Sequence, residues 1–407
     1  MIGPGLPHIP LSVSTLVPYL AIGPITLAIF APLYYEMARG TISSDIPAHA
    51  EIIKKVVEVG RWPPHPGLHG LALVLLGFPS SLNWKSAIIV LSGITLGSLL
   101  VKHLLAATYL ASWASFPSAN HRESISASCT DAGPVGWRLV GLTMCLCLAG
   151  PIWSPEIGWQ NFYLGKFSPN AWHNPTLLLS WPFIILHFAG LLQCLNQPNF
   201  KRLCQVLFYL ALATIIKPNY AIALCGALPI TLLLKSFRSP AWIRAVILQL
   251  AVAVLVLLPQ FAAFQAEENA VVVLAPFTIV SQRSGFIPLT FLTSVAFPLI
   301  VAITLRRGLL GNQAFQLAAL LFLVAAAQCY LLVESGPGRS ALHGNWYWGA
   351  HATLFLLFLV SLAALWRATF GEARRDFGIY ACWGVFGLHV VTGVLWLTKH
   401  FIACSYY

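Results

Sequence analysis

The sequence predicts an all-α polytopic membrane protein with about eleven transmembrane helices. Three observations lead there. Hydrophobic residues make up 58% of the 407-residue chain and charged residues only 9%, whereas soluble domains carry roughly 25% charged residues. The apolar residues come in long runs, many near the ~20 residues a helix needs to cross a bilayer. No polar stretch is much longer than the first loop, so residues 1–407 read as a single transmembrane domain.

The predicted spans, in order, are 14–35, 86–112, 136–153, 177–194, 203–217, 219–234, 244–264, 289–305, 314–333, 351–366 and 378–397. The first has no Lys or Arg before it and so lacks the basic flank of a signal peptide; it is read as a retained span. Segment 67–79 is apolar but too short to cross. Pro63, Pro64 and Pro66 precede it and Pro79 follows it, which predicts a helix lying at the interface. Residues 36–85 are therefore expected to form one extracytoplasmic loop with two short interfacial helices.

Basic residues orient this arrangement. With 67–79 not crossing, one face receives Arg122, Arg138, Lys201, Arg202, Lys235, Arg238, Arg244, Arg306, Arg307, Arg367, Arg374 and Arg375. Outside the first loop, the other face receives Lys85, Lys166, Lys217, Arg283, Arg339 and Lys399. The positive-inside rule makes the first face cytoplasmic. The expected location is an integral, multi-pass position in a bacterial inner membrane, with the N-terminus cytoplasmic and any active site extracytoplasmic. The net charge of +11 does not point to nucleic acid, because no basic run is interleaved with aromatics. The nine cysteines show no metal-ligand spacing and read as small apolar packing residues.

The first loop concentrates the acids. Glu36, Asp45, Glu51 and Glu58 are four of the twelve in the chain. Residues 48–59 are expected to form an amphipathic surface helix, with Ile52, Ile53, Val56, Val57 and Val59 at helical spacing. Glu51 and Lys55 stand four apart in the favourable order, and Gly60 closes the helix. Asp45 precedes it, with Pro47 in the first turn. That is good N-cap chemistry. It is also a position for a general base. His49 lies four residues on and shares a face with Asp45 if both are helical, as a base, a metal ligand or a hydrogen-bond partner.

The order of a first span, an acidic external loop, an amphipathic helix, the turn His65-Pro66-Gly67-Leu68 and a second short helix resembles the GT-C superfamily of integral-membrane glycosyltransferases. Protein mannosyltransferases and lipid A aminoarabinose transferases belong to it. The resemblance covers roughly residues 14–112. It implies a polyprenyl-phosphate-linked sugar donor, a lipid, glycan or protein acceptor, and Asp45 as the catalytic or metal-associated carboxylate. It also carries a divalent metal ion as the one cofactor to consider. Many members have two adjacent acids; here Ile46 follows Asp45 and the next acid is Glu51.

Other loops add candidate binding residues on the same expected face. Trp172-His173-Asn174-Pro175-Thr176 reads either as an interfacial anchor with a helix start or as a sugar-binding loop. Lys217 in Lys217-Pro218-Asn219-Tyr220 suits a helix C-terminus or a lipid phosphate. Arg339 and His343 lie in a Gly-rich stretch, where backbone can approach a ligand and Arg can grip a phosphate. Arg283 is a further phosphate candidate, and His65 a substrate-binding one.

The leading functional reading is a glycosyltransferase with Asp45 as base. The alternative is a transporter or lipid-linked glycan flippase, for which Lys102 and His103 are the main intramembrane candidates. A further alternative is an enzyme like the O-antigen polymerases and ligases, although 334–350 is a short loop for that class.

Overall fold

The computed structural model describes residues 13–114, 132–155, 165–196, 199–234, 237–268, 271–336, 344–370 and 376–403. It is an integral-membrane type of helical bundle. The long helices are α1 (Val13–Arg39), α4 (Trp84–Ala114), α6 (Pro175–Asn196), α9 (Pro240–Glu268), α11 (Ile287–Thr304), α13 (Gln313–Leu331), α14 (Tyr347–Phe370) and α15 (Phe377–Ala403). These eight are long and apolar enough to cross a membrane. Three predicted spans form shorter helices, α5 (Ala132–Leu148), α7 (Phe200–Ile216) and α8 (Asn219–Thr231). The first loop folds into α2 (Ile46–Val59) and α3 (Gly67–Leu75), and short turns form α10 (Thr278–Ser281) and α12 (Arg306–Leu309).

Capping explains several boundaries. Asn312 accepts from the Ala314 and Phe315 amides at the start of α13, and Asn199 from the Lys201 amide at the start of α7. Both satisfy donors that a helix leaves orphaned. Gly60, at φ 72°, ends α2 as predicted, its amide bonded to the Val56 carbonyl.

Burial sets the layering. The crossing window of α14 is 94% buried and that of α6 83%, against 28% for α9. Thus α14 and α6 are the centre, and α9 lies on the outside of the bundle. Around them α6 packs on α7 and α4, α13 on α14 and α8, α1 on α4 and α5, and α11 on α15. Gly393 shows how tight one seam is: a Cβ there would collide with the Leu148 carbonyl oxygen. One turn away in α15, His389 Nδ1 lies 2.6 Å from the Gly150 oxygen, so the turn after α5 is held against α15.

Some predictions need correction: the run 136–153 leaves the helix after Leu148 and the run 67–79 after Leu75. The run 314–333 does not stay helical to its end. After Leu331 the chain becomes β2 (Leu332–Ser335), which pairs antiparallel with β1 (Val271–Leu274) in the register Val272↔Glu334. Helix α2 does not lie freely on a surface: Ile46, Ala50, Ile53 and Val56 are buried and the helix packs on α4, while Val59 is exposed. A bundle neighbour offers a helix more apolar contact than an interface does, and the α2 stripe turns toward it.

The segment 165–174 is a loop, yet it is buried throughout. Buried polar groups must find partners, and three of this loop's amides and the Asn170 side chain have them. The Phe167 amide donates to Ser294 Oγ, and Lys102 Nζ donates to Asn170 Oδ1 at 2.6 Å. Asn170 Nδ2 in turn donates to the Leu146 and Ala149 carbonyls. The Lys102 ammonium also lies 3.2 Å from the Trp181 ring centre and 3.9 Å from that of Phe355. His103 Nδ1 is 2.9 Å from Thr26 Oγ1. The two intramembrane candidates for transport are thus held in packing contacts.

Candidate functional site

The buried loop delivers its last residues, Trp172, His173 and Asn174, to the start of α6. There Asn174 has two tasks. Its Oδ1 accepts from the Leu177 amide at 2.8 Å and from Thr176 Oγ1 at 2.7 Å, which caps α6. Its Nδ2 donates to Asp45 Oδ2 at 2.8 Å. The amide is fixed in one sense, because only the oxygen can accept from a backbone N–H. A backbone bond from the Asp45 amide to the His173 carbonyl, at 3.4 Å, ties the same two segments.

Asp45 therefore does not cap α2 with its side chain. It sits at the N-cap position, at φ −77° and ψ −6°, without a side-chain cap bond; its carboxylate turns to Asn174 instead. Burial raises its pKa, opposed by the nearby Lys217 charge and the Asn174 bond.

Lys217 is the other half of this arrangement. Helix α7 stops at Ile216, and Lys217 leaves it in extended backbone at φ −151°, ψ 106°. Its side chain is only 8% exposed, which is unusual for an ammonium. Burial lowers its pKa to about 8, while Asp45 and Glu334 act to hold its proton. Its Nζ lies 5.4 Å from the Trp348 ring centre. Helix α3 abuts the same turn: a Cβ on Gly67 would come within 2.9 Å of the Ile216 Cα, so only glycine lets the His65-Pro66-Gly67 turn pass this close.

Lys217 opens on a cavity of about 800 Å³. His49, His65 and His69 line one side, and Pro218, Asn219, Glu334, Asn345 and Trp346 another. Lys55, Arg61 and Trp62 border it from the end of α2, and all three are exposed. Helix α9 supplies an apolar wall of Val254, Leu257, Leu258, Phe261 and Phe264. Val254, Leu258 and Phe261 in that wall are 45–61% exposed, so the cavity is open along α9.

Several polar groups of the cavity are cross-linked. His49 Nδ1 and His69 Nε2 are 3.0 Å apart, so one nitrogen donates and the other accepts. Burial lowers the pKa of both, that of His69 to about 4; for His49 the neighbouring His69, Lys217 and His65 add to the effect. Both shifts favour the neutral form of the pair. Asn219 Nδ2 donates to the Asn345 carbonyl at 2.9 Å, and Asn345 Nδ2 donates to Glu334 Oε2 at 2.8 Å.

Of the predicted site residues, His49, His65 and Lys217 line the cavity. Asp45 is close enough to Lys217 for each charge to act on the other, and Asn174 is bonded to Asp45, but both lie outside the lining. Trp172 does not stand in an aromatic belt: it is 1% exposed, with its ring 5.5 Å from that of Trp396. His173 is buried too, its ring 5.2 Å from Trp348, and burial lowers its pKa, with His351, His400 and Lys217 adding. Arg283 is not among the residues that line the cavity. Arg339 and His343 lie outside the described residues. Glu334, Asn345, Asn219 and His69 were not singled out. Asn219 stands in the Lys217-Pro218-Asn219-Tyr220 motif and Glu334 and Asn345 in the loop 334–350; no signal in the sequence marks His69 beyond its place in a short apolar helix. Among the described residues no group of three or more His, Cys, Asp or Glu is placed to hold a metal ion.

Asn174→Ala removes both the α6 cap and the Asp45 donor. The loss of the cap is expected to cost about 1 kcal/mol, read as a lower melting temperature of the detergent-solubilised protein. An unchanged melting temperature would mean that α6 does not depend on this residue.

No family model, curated protein or solved structure matches this chain.

Proposed function

We propose that this protein is a membrane glycosyltransferase that moves a sugar from a polyprenyl-phosphate donor to a hydroxyl-bearing acceptor. The observation that carries the reading is the composition of the cavity. It combines three cations, Lys55, Arg61 and Lys217, with one carboxylate, Glu334, and an apolar wall on α9. An anionic headgroup on a long apolar chain suits both parts. In the proposed step an acceptor oxygen attacks the anomeric carbon. The bond from that carbon to the phosphate oxygen breaks, and its electron pair leaves on the phosphate. The acceptor proton passes through one intervening water to Asp45, which lies outside the lining, and Lys217 stabilises the departing phosphate. A single displacement inverts the anomeric carbon. We further propose that all eleven apolar segments cross a bacterial inner membrane, with the N-terminus cytoplasmic and the cavity on the opposite face.

The transporter reading has less support, since Lys102 and His103 are engaged in packing and hydrogen bonds. The discriminating experiment incubates the purified chain in liposomes with a labelled polyprenyl-phosphoryl sugar and an acceptor mixture. Release of free polyprenyl phosphate is the expected result; flux with the lipid chemically unchanged would favour transport. The same assay run against pH tests the groups. Lys217 is charged below about pH 8, so phosphate-dependent activity should fall as pH rises through that value. Asp45 must be ionised to accept a proton, and its raised pKa places the acid limb above that of an ordinary aspartate. A profile flat across both limbs would contradict these roles.

A further inference from the structure

The strand pair presents the cavity with a carboxylate that the proposed reaction does not use. Side chains alternate along a strand. In β2 this sends Val333 into the core, at 5% exposed, and Glu334 to the other side, into the cavity. Its partner across the ladder, Val272, lines the same cavity. The orientation is held twice, by the ladder and by the Asn345 Nδ2 donor on Oε2 at 2.8 Å. Asn345 is itself fixed by Asn219, which follows Lys217 by two residues. Glu334 is therefore set on rigid backbone beside the cation assigned to the phosphate. A carboxylate facing a lipid-phosphate site repels the phosphate, so besides helping to hold the Lys217 proton it calls for a contact that favours the substrate.

We propose that Glu334 is a specificity-determining residue, which accepts hydrogen bonds from the hydroxyls of the headgroup and so selects a neutral polyhydroxylated sugar over an acidic one. The inference rests on the lipid-phosphate reading given above. A carboxylate accepts from hydroxyls in charge-assisted bonds. Against a substrate carboxylate it offers only like-charge repulsion and no donor.

The test uses the full chain in detergent and three probes: farnesyl phosphate, farnesyl phosphoryl hexose and farnesyl phosphoryl hexuronic acid. Binding is followed by quenching of tryptophan fluorescence, since Trp62 and Trp346 line the cavity. The wild-type chain is expected to bind the hexose probe at least about tenfold tighter than the hexuronate, as one charge-assisted hydrogen bond gained or lost implies. Glu334→Gln should remove most of that ratio, and Glu334→Asp should keep its direction. Binding of bare farnesyl phosphate by each variant reports an intact cavity. Should the Gln variant fail that control, Asn345→Ala, which frees Glu334 from its donor, is expected to shrink the ratio instead. An unchanged ratio in a variant that passes the control overturns the inference and leaves the lipid-phosphate reading standing. Failure of the wild type to bind any of the three probes overturns both.

Discussion

Lys217→Met is expected to weaken binding of a lipid phosphate by about 10- to 100-fold, the range of a hydrogen bond to a charged group. Lys217 is the buried cation of the cavity, whereas Lys55 and Arg61 are exposed at its border and are screened by water and salt. The substitution keeps an unbranched apolar stem of similar length, so the packing against Trp348 survives. It also takes the cation away from Asp45 and Glu334. Without that charge the Asp45 pKa rises further, because the opposing influence of Lys217 is gone. The acid limb of the activity profile should therefore move to higher pH in Lys217→Met. Lys217→Arg should recover binding in part, since it restores charge but not the compact ammonium. Measuring farnesyl phosphate affinity for the three proteins decides the matter. Equal affinities would remove Lys217 from the site.

Asp45→Asn should lower sugar transfer by about 10²–10⁴-fold, the usual contribution of a positioned general base. The change is nearly isosteric. An amide oxygen at position 45 still accepts from Asn174 Nδ2, so the link to α6 is retained and expression and membrane insertion should be normal. Donor affinity should change little, because Asp45 lies outside the cavity lining. The expected signature is a lost rate with a preserved donor KM. Full activity in this variant would remove Asp45 from the mechanism. A large loss of donor affinity at unchanged rate would instead make Asp45 a partner that keeps Lys217 charged.

The effects of the two substitutions need not add. Asp45 and Lys217 influence each other's protonation, and coupled groups give non-additive double variants.

Much of the helical frame was legible from hydrophobic run length alone, because a bilayer demands about 20 apolar residues per crossing and few other structures do. The glycine stop at Gly60 and the Asn174 helix start also followed from local backbone chemistry. The early acidic loop and Lys217 could be singled out because charge is scarce in this chain. What each of them touches could not. Asp45 looked equally suited to capping α2, and only the arrival of Asn174, 129 positions away, shows which partner its carboxylate takes. Trp172 and His173 have the composition of a surface binding loop, yet the bundle closes over them, since Lys102, Asn170 and Ser294 satisfy that loop from within. Glu334 enters the cavity through a strand pairing between segments some sixty residues apart, and a four-residue strand carries too little pattern to be read alone. Run length and local propensity are properties of consecutive residues, so the sequence by itself determined the helices. The site is made of contacts between distant segments, and those were decided only when the bundle packed.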